Sequence, residues 1–201
     1  MSFWPRSWKR YLGRKMGDAS IGCLLDLSTG ERESVRLSTV QLDNASDVKR
    51  RPKYPERERP EKFLASFDFT TLYYDCFWDQ NTKDVLCVGP TPTNLKPHFK
   101  RAVYRALPSG KQIKAKHFFS LTVMSTQLKD VPVDTSGIEM HFAGETHLMP
   151  VQPNGCDDFS RENLMFTLSK NNDLKWIKFW AAYHVRKQNV SAIILFDNGS
   201  D

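Results

Sequence analysis

The sequence predicts an α+β fold, a β-rich N-terminal region followed by one strand–helix–strand unit of Rossmann-like α/β type. Two observations carry this. From Phe63 to Val151, short runs rich in β-branched and aromatic residues alternate with Pro-, Gly- and Asn-containing connectors, the pattern of strands and turns. After Gly155 the period changes. Asn163–Leu168 (NLMFTL) reads as a strand, Asp173–Gln188 (DLKWIKFWAAYHVRKQ) as a helix and Ser191–Phe196 (SAIILF) as a second strand, together the size of a βαβ unit.

Each element has a local reason. Residues 1–62 read as a basic, Pro-rich tail and linker, largely irregular, because charges are dense and Pro52, Pro55 and Pro60 interrupt regular structure. Within that stretch Ile21–Leu27 is a short apolar run able to pack on the domain. In the β-rich region, residues 63–155, Leu72–Trp78 and Val85–Val88 flank DQNTKD and read as a hairpin. A turn centred on Asn81–Thr82 sets Cys76 opposite Cys87, as two buried thiols or, in an oxidising setting, as a disulfide. His117–Met124 and Ile138–Phe142 suggest further strands, with Gly89–Pro97 as a Pro-rich connector. In residues 156–201, Leu174, Ile177, Ala181, Val185 and Gln188 follow helical spacing, and Trp180 and His184 widen that face. Asn172 or Asp173 can cap the helix start, Arg186 and Lys187 suit its negative end, and Asn189 tolerates the left-handed backbone that ends helices. SAIILF is almost wholly apolar, as in a parallel strand covered on both faces.

Bulk properties narrow the function classes. With 201 residues, 40% hydrophobic and 12% aromatic, the chain can bury a real core. No apolar run approaches the roughly 20 residues that span a bilayer, and residues 1–17 lack the apolar stretch of a secretory signal. Cys23, Cys76, Cys87 and Cys156 form no C-x-x-C pair, so reduced thiols in a cytoplasmic protein are the default. The net charge of +6 is unevenly placed: residues 1–16 carry +5 and residues 49–62 carry +4, leaving −3 for the rest. Basicity confined to a tail and a linker argues against a nucleic-acid groove. Trp4, Trp8, Tyr11 and Leu12 among Arg and Lys make residues 1–16 a candidate for peripheral membrane association, the plainer alternative being a basic tail.

Ligands of open α/β sheets bind beyond the carboxyl ends of the strands. Two loops lie there, Ser169–Asp173 (SKNND) and Asp197–Asp201 (DNGSD). The first has no glycine, which disfavours a dinucleotide fingerprint or a P-loop. In the second, Asp197 can accept hydrogen bonds from a base or a ribose, Asn198 and Gly199 allow a sharp turn, and Ser200 can cap a helix. The plainer reading of DNGSD is a turn with an N-cap.

The stretch Thr167–Asp201 (TLSKNNDLKWIKFWAAYHVRKQNVSAIILFDNGSD) resembles the start of the catalytic domain in GT-A-fold glycosyltransferases. It is similar to the bacterial family-2-like group that reads Lys-Asn-Glu, a helix with Trp and His, and a hydrophobic strand ending Tyr-Asp-Asn-x-Ser. Here those positions are Lys170, Asn171, Asn172; Trp176 and His184; and Phe196, Asp197, Asn198, Ser200. Asn172 departs from the usual acidic residue. LYYDCFWDQNTKDVLCVGPTPTNL looks like the β-rich leader of capsule-type members. The resemblance implies an incomplete GT-A domain in residues 156–201 and transfer of a sugar from a nucleotide-sugar donor to a glycan, lipid-linked or surface-polysaccharide acceptor. It implies that Ser169, Lys170, Asn171, Asn172, Asp197, Asn198 and Ser200 lie at the donor, and that a Mn or Mg ion and a catalytic base are held by residues after Asp201. A lone unit of this kind would leave a sheet edge unpaired and apolar surface bare.

Other constellations carry plainer readings beside the sharp ones. Glu139, His141, Glu145 and His147 can converge on a divalent metal if two strands turn at Ala143–Gly144, or else decorate a hairpin. Asp157–Asp158 reads as a solvated turn. Trp176 and Trp180 read as packing and His184 as a hydrogen-bonded core residue. Competing readings are a non-catalytic β-rich module that binds carbohydrate or a partner, with Tyr73, Phe77 and Trp78 as a stacking surface, and an inactive truncated product.

Overall fold

A computed structural model describes residues 7–12, 21–26, 32–79, 81–154 and 159–197, of which 7–12, 21–26, 32–36 and 197 are described by backbone alone. The chain divides into two compact units, Ser38–Asn154 and a second formed by Met1–Leu37 with Gly155–Asp201. The second unit contains β1 (Ser7–Leu12), β2 (Ile21–Asp26) and β3 (Arg32–Arg36) near the N-terminus. The first unit carries β4 (Val40–Gln41), α1 (Phe63–Ser66), β5 (Thr71–Tyr73), β6 (Asp75–Asp79) and β7 (Asp84–Pro90). It continues with α2 (Lys96–Arg101), β8 (Val103–Leu107), β9 (Gln112–Phe119), β10 (Val123–Lys129), β11 (Gly137–Phe142) and β12 (Glu145–Pro150). The second unit then resumes with β13 (Leu164–Ser169), α3 (Leu174–Gln188) and β14 (Ala192–Asp197).

These elements correct the expected fold class. The molecule is mostly β, dominated by a curled seven-stranded antiparallel half-barrel, and is not a Rossmann-like GT-A α/β fold. The half-barrel order is β12-β11-β8-β9-β10-β7-β6, with every neighbouring pair antiparallel. The physical reason lies in the connections. Tight turns can join only antiparallel strands, whereas each parallel step needs a crossover, and a doubly wound sheet needs helices on both faces. α3 is the single crossover helix among the described residues; it joins β13 to β14, which pair in parallel. On its other edge β14 pairs in parallel with β1, and β1 leads antiparallel into β2 and β3. The sheet order β13-β14-β1-β2-β3 is therefore mixed, and β14 is internal rather than an edge. Its faces are unequal: Ile193 packs under α3, while Phe166 and Leu168 of β13 stay exposed on the uncovered face.

Strand breaks also differ from expectation. Leu72–Trp78 is two strands that change partner at Tyr74: β5 pairs β4, and β6 pairs β7. The switch is pinned by Thr39 Oγ1 donating to Tyr74 O at 3.0 Å, and by Ser38 N donating to Asp75 Oδ1 at 2.9 Å. At the crossing, a Cβ on Gly89 would lie 2.3 Å from Leu72 O, so only glycine fits. His117–Met124 is the turn of the β9–β10 hairpin, closed by Ser120 N donating to Val123 O at 3.0 Å. The Gly89–Pro97 connector leads into α2, whose Phe99 is buried against Tyr73, Phe142 and His117 at ring distances of 5.6, 4.7 and 6.1 Å. Phe99 thereby plugs the concave side of the half-barrel.

The expected cysteine pairing is present. Cys76 and Cys87 are opposite in the β6–β7 register, both buried and both free, with sulfurs 3.5 Å apart. Cys76 O accepts from Gln152 N at 2.8 Å, so this pair does not exchange ladder bonds and its side chains lie at the close spacing. The hydrogen bond with Cys76 and burial push the Cys87 thiol well up, and only the thiolate reacts. Diamide is expected to link Cys76 to Cys87 slowly at neutral pH and faster in alkali, read by peptide mapping for a species two hydrogens lighter. Absence of that peptide from folded protein at alkaline pH would contradict the register.

Candidate functional site

The loop from β13 into α3 follows from its residues. Asn171 takes left-handed backbone (φ 51°), which asparagine tolerates. Asp173 is the N-cap, its carboxylate accepting from Lys175 N at 2.9 Å. Asn172 Nδ2 donates to Ser169 Oγ at 2.9 Å, and Ser169 is buried at the end of β13. At the far end of α3, Asn189 supplies the left-handed cap (φ 54°), and Asn163 Nδ2 donates to Asn189 O at 2.9 Å.

The parallel register sets Ser169 beside Asp197 at the carboxyl ends of β13 and β14. An open cavity of about 630 Å³ adjoins Ser169 and Asn172, walled by Trp176, Trp180, Tyr183 and His184. Its chemistry is that of a binding site: the Asn172 amide, the hydroxyls of Thr167, Ser169 and Tyr183, and a run of aromatic faces, with no carboxylate among the described lining residues. His184 Nδ1 lies 2.7 Å from Gln188 Oε1 and its ring meets Trp180 edge-on at 5.0 Å.

Of the residues expected at this end, Ser169 and Asn172 line the cavity. Lys170 and Asn171 are exposed in the same loop without lining it. Asp197 shares the strand end by backbone register. Asn198 and Ser200 lie outside the described residues, as do Gly199, Cys156 and Asp157–Asp158. Of the basic segment 1–16, residues 7–12 form β1 and the remainder lies outside the described residues. Sequence reasoning missed Trp176 as a cavity wall. It is exposed rather than packed, and the signal was its spacing with Phe179 and Tyr183, a second stripe opposite Ile177, Ala181 and Val185.

The carboxylate–histidine group does not converge. The β11–β12 hairpin turns at Ala143 and Gly144, both with positive φ. Its register pairs Glu139 with Leu148 and His141 with Thr146 on one face, and Met140 with His147 and Phe142 with Glu145 on the other. His141 Nε2 lies 2.8 Å from Glu139, and His147 Nε2 lies 3.4 Å from Glu145, so two separate pairs form. Among the described residues no three His, Cys, Asp or Glu side chains gather to hold a metal.

The proposed stacking surface also dissolves: Tyr73 is fully buried, and Trp78 packs against the core. Tyr73 Oη instead bonds Tyr104 Oη at 2.8 Å and Thr126 Oγ1 at 2.7 Å, and Thr126 reaches His117 Nδ1 at 2.9 Å. Burial pushes both phenols up and the His117 imidazole down. The chain of four is thus a neutral, satisfied core network at pH 7. Among the described residues no helix is long and apolar enough to cross a membrane. No family model, curated protein or solved structure matches this chain.

Proposed function

We propose that the chain binds a nucleotide-sugar donor at the carboxyl ends of β13 and β14 and serves transfer of its sugar to a glycan, lipid-linked or surface-polysaccharide acceptor. The observation that carries this is the register of Ser169 with Asp197 beside an aromatic-walled cavity of about 630 Å³. A parallel strand pair offers ligands its carboxyl end. Asp197 accepts from the nucleoside, Ser169 and Asn172 give the cavity its polar end, and Trp176 and Trp180 supply faces for a base. Lys170, exposed in the same loop, is placed to meet diphosphate charge.

A Mn or Mg ion would neutralise the departing diphosphate in such chemistry. The described residues do not fit one, so no step is assigned to it. No described carboxylate lines the cavity either, and the base that deprotonates the acceptor hydroxyl is unassigned.

Titration calorimetry with UDP, UDP-glucose and GDP-mannose tests the reading. Saturable binding of at least one is expected, weakened about tenfold or more in Asp197→Ala, the loss of a hydrogen bond to a charged acceptor. Asn172→Ala is expected to weaken it less. If no nucleotide or nucleotide sugar binds, the reading fails.

A further inference from the structure

Three rings of the cavity wall also form an exposed stripe along α3. Trp176, Phe179 and Tyr183 recur at i, i+3 and i+7, so they align along one side of the helix, and they are 64%, 67% and 50% exposed. Lys175 and Lys187 flank this stripe on its two sides, both exposed. The helix contains no Asp or Glu from Leu174 to Gln188. Arg186 and Lys187 suit the negative C-terminal end of the helix. Lys175 does not: it sits in the first turn, where a cation opposes the macrodipole, and the one acidic residue there is the N-cap Asp173, whose carboxylate is taken up by the Lys175 backbone N–H. A cation there with three exposed rings is unexplained by the helix itself.

We propose that this face of α3 docks on an anionic membrane surface. Trp176, Phe179 and Tyr183 enter the headgroup boundary, and Lys175 and Lys187 sit over the anionic headgroups. Aromatic rings with cation flanks are the composition of a helix lying in the interface plane, and each cation near an anionic leaflet adds to binding. A nucleic acid would use the cations, but it would leave Phe179 in water unless a base were unstacked onto it. The surface differs from residues 1–16. It shares Trp176, Phe179 and Tyr183 with the lining of the donor cavity, so the two readings separate at Lys175 and Lys187, which do not line it.

Vesicle flotation of the full chain tests this. Phosphatidylcholine vesicles are expected to carry little protein. Those containing phosphatidylserine are expected to carry it in a salt-sensitive way, with a blue shift of tryptophan emission. Lys175→Glu with Lys187→Glu is expected to weaken partitioning on the order of thirtyfold or more, leaving nucleotide-sugar titrations unchanged. Lys175→Arg with Lys187→Arg is expected to keep partitioning, and the neutral Lys175→Gln, Lys187→Gln pair to show an intermediate loss. The proposal is overturned if wild type ignores anionic vesicles, or if the charge-reversed chain binds them equally well. It is likewise overturned if the face instead binds single-stranded RNA more tightly, or closes a dimer in the absence of lipid that the same reversal dissolves.

Discussion

Phe99→Ala is expected to lower the stability of the half-barrel unit by about 4 kcal/mol. The size follows from where the ring sits. α2 is six residues long and contributes one fully buried side chain, Phe99, 1% exposed. That ring touches Tyr73 from the segment that crosses at Gly89, Phe142 from β11 and His117 from β9. Three parts of the curled sheet therefore share one plug, and strands locked by ladder bonds cannot collapse into the space it leaves. The neutral Tyr73–Tyr104–Thr126–His117 network lies against the same ring, so water entering the gap would compete for its bonds. Urea denaturation followed by tryptophan emission measures the effect. With an m-value of about 2 kcal/mol/M, the midpoint falls by roughly 2 M. Phe118→Ala, on the outer face of β9 and 46% exposed, is the control, with a loss of about 1 kcal/mol or less. Equal losses at the two positions would show that Phe99 is not a plug.

What the sequence revealed was local, and what it hid was partner choice. The Cys76–Cys87 register, α3 with its Asp173 and Asn189 caps, and the parallel strands beside it are written in short-range signals: turn residues, cap residues and helical spacing. The break at Tyr74 is not, because LYYDCFW satisfies strand patterning throughout and the switch depends on Thr39 and Ser38, far away in sequence. HFFSLTVM was read as one strand for the same reason, Ser120 and Thr122 being the only polar residues after His117. The fold class failed where pairing is most distant: nothing in β14 announces that β1, some 180 residues earlier, lies beside it. At the candidate site, Ser169 and Asn172 were legible as a strand-end loop. Trp176 was not, because α3 is aromatic on two sides and hydrophobicity alone cannot say which side the sheet covers.

Asp68→Asn is expected to cost about 2 kcal/mol at neutral pH, and the cost is expected to fade in acid. Arg50 is 5% exposed, inside a stretch whose composition predicts irregular chain. Its Nη2 donates to Thr71 O and lies 3.5 Å from Asp68 Oδ2, while its backbone N donates to Phe69 O at 2.9 Å. Asp68 Oδ1 in turn accepts from Thr70 N and Thr71 N at 3.1 and 2.9 Å. The pair thus ties the Ser38–Lys62 stretch to the start of β5. A buried guanidinium without its counter-charge is what makes a broken pair expensive, and the partial exposure of Asp68, 31% at its side chain, brings the figure down from the usual 3–5 kcal/mol. Burial pushes the Asp68 carboxyl up, but the Thr71 and Thr70 amides and the Arg50 charge outweigh it and hold the group below its ordinary value. A carboxyl depressed in the folded state stabilises above its unfolded pKa, near 4, and loses that contribution as pH falls through the folded value. The gap in Tm between wild type and Asp68→Asn should therefore be full, roughly 5 °C, from neutrality down to about pH 5, and should narrow below that. Arg50→Met removes the buried charge along with the bond and should cost less than Asp68→Asn. Adding Asp68→Asn to Arg50→Met should then cost little more. A gap that stays constant from pH 7 to pH 3 would mean that the ionised Asp68 carboxylate stabilises the fold neither through the Arg50 charge nor through the turn amides.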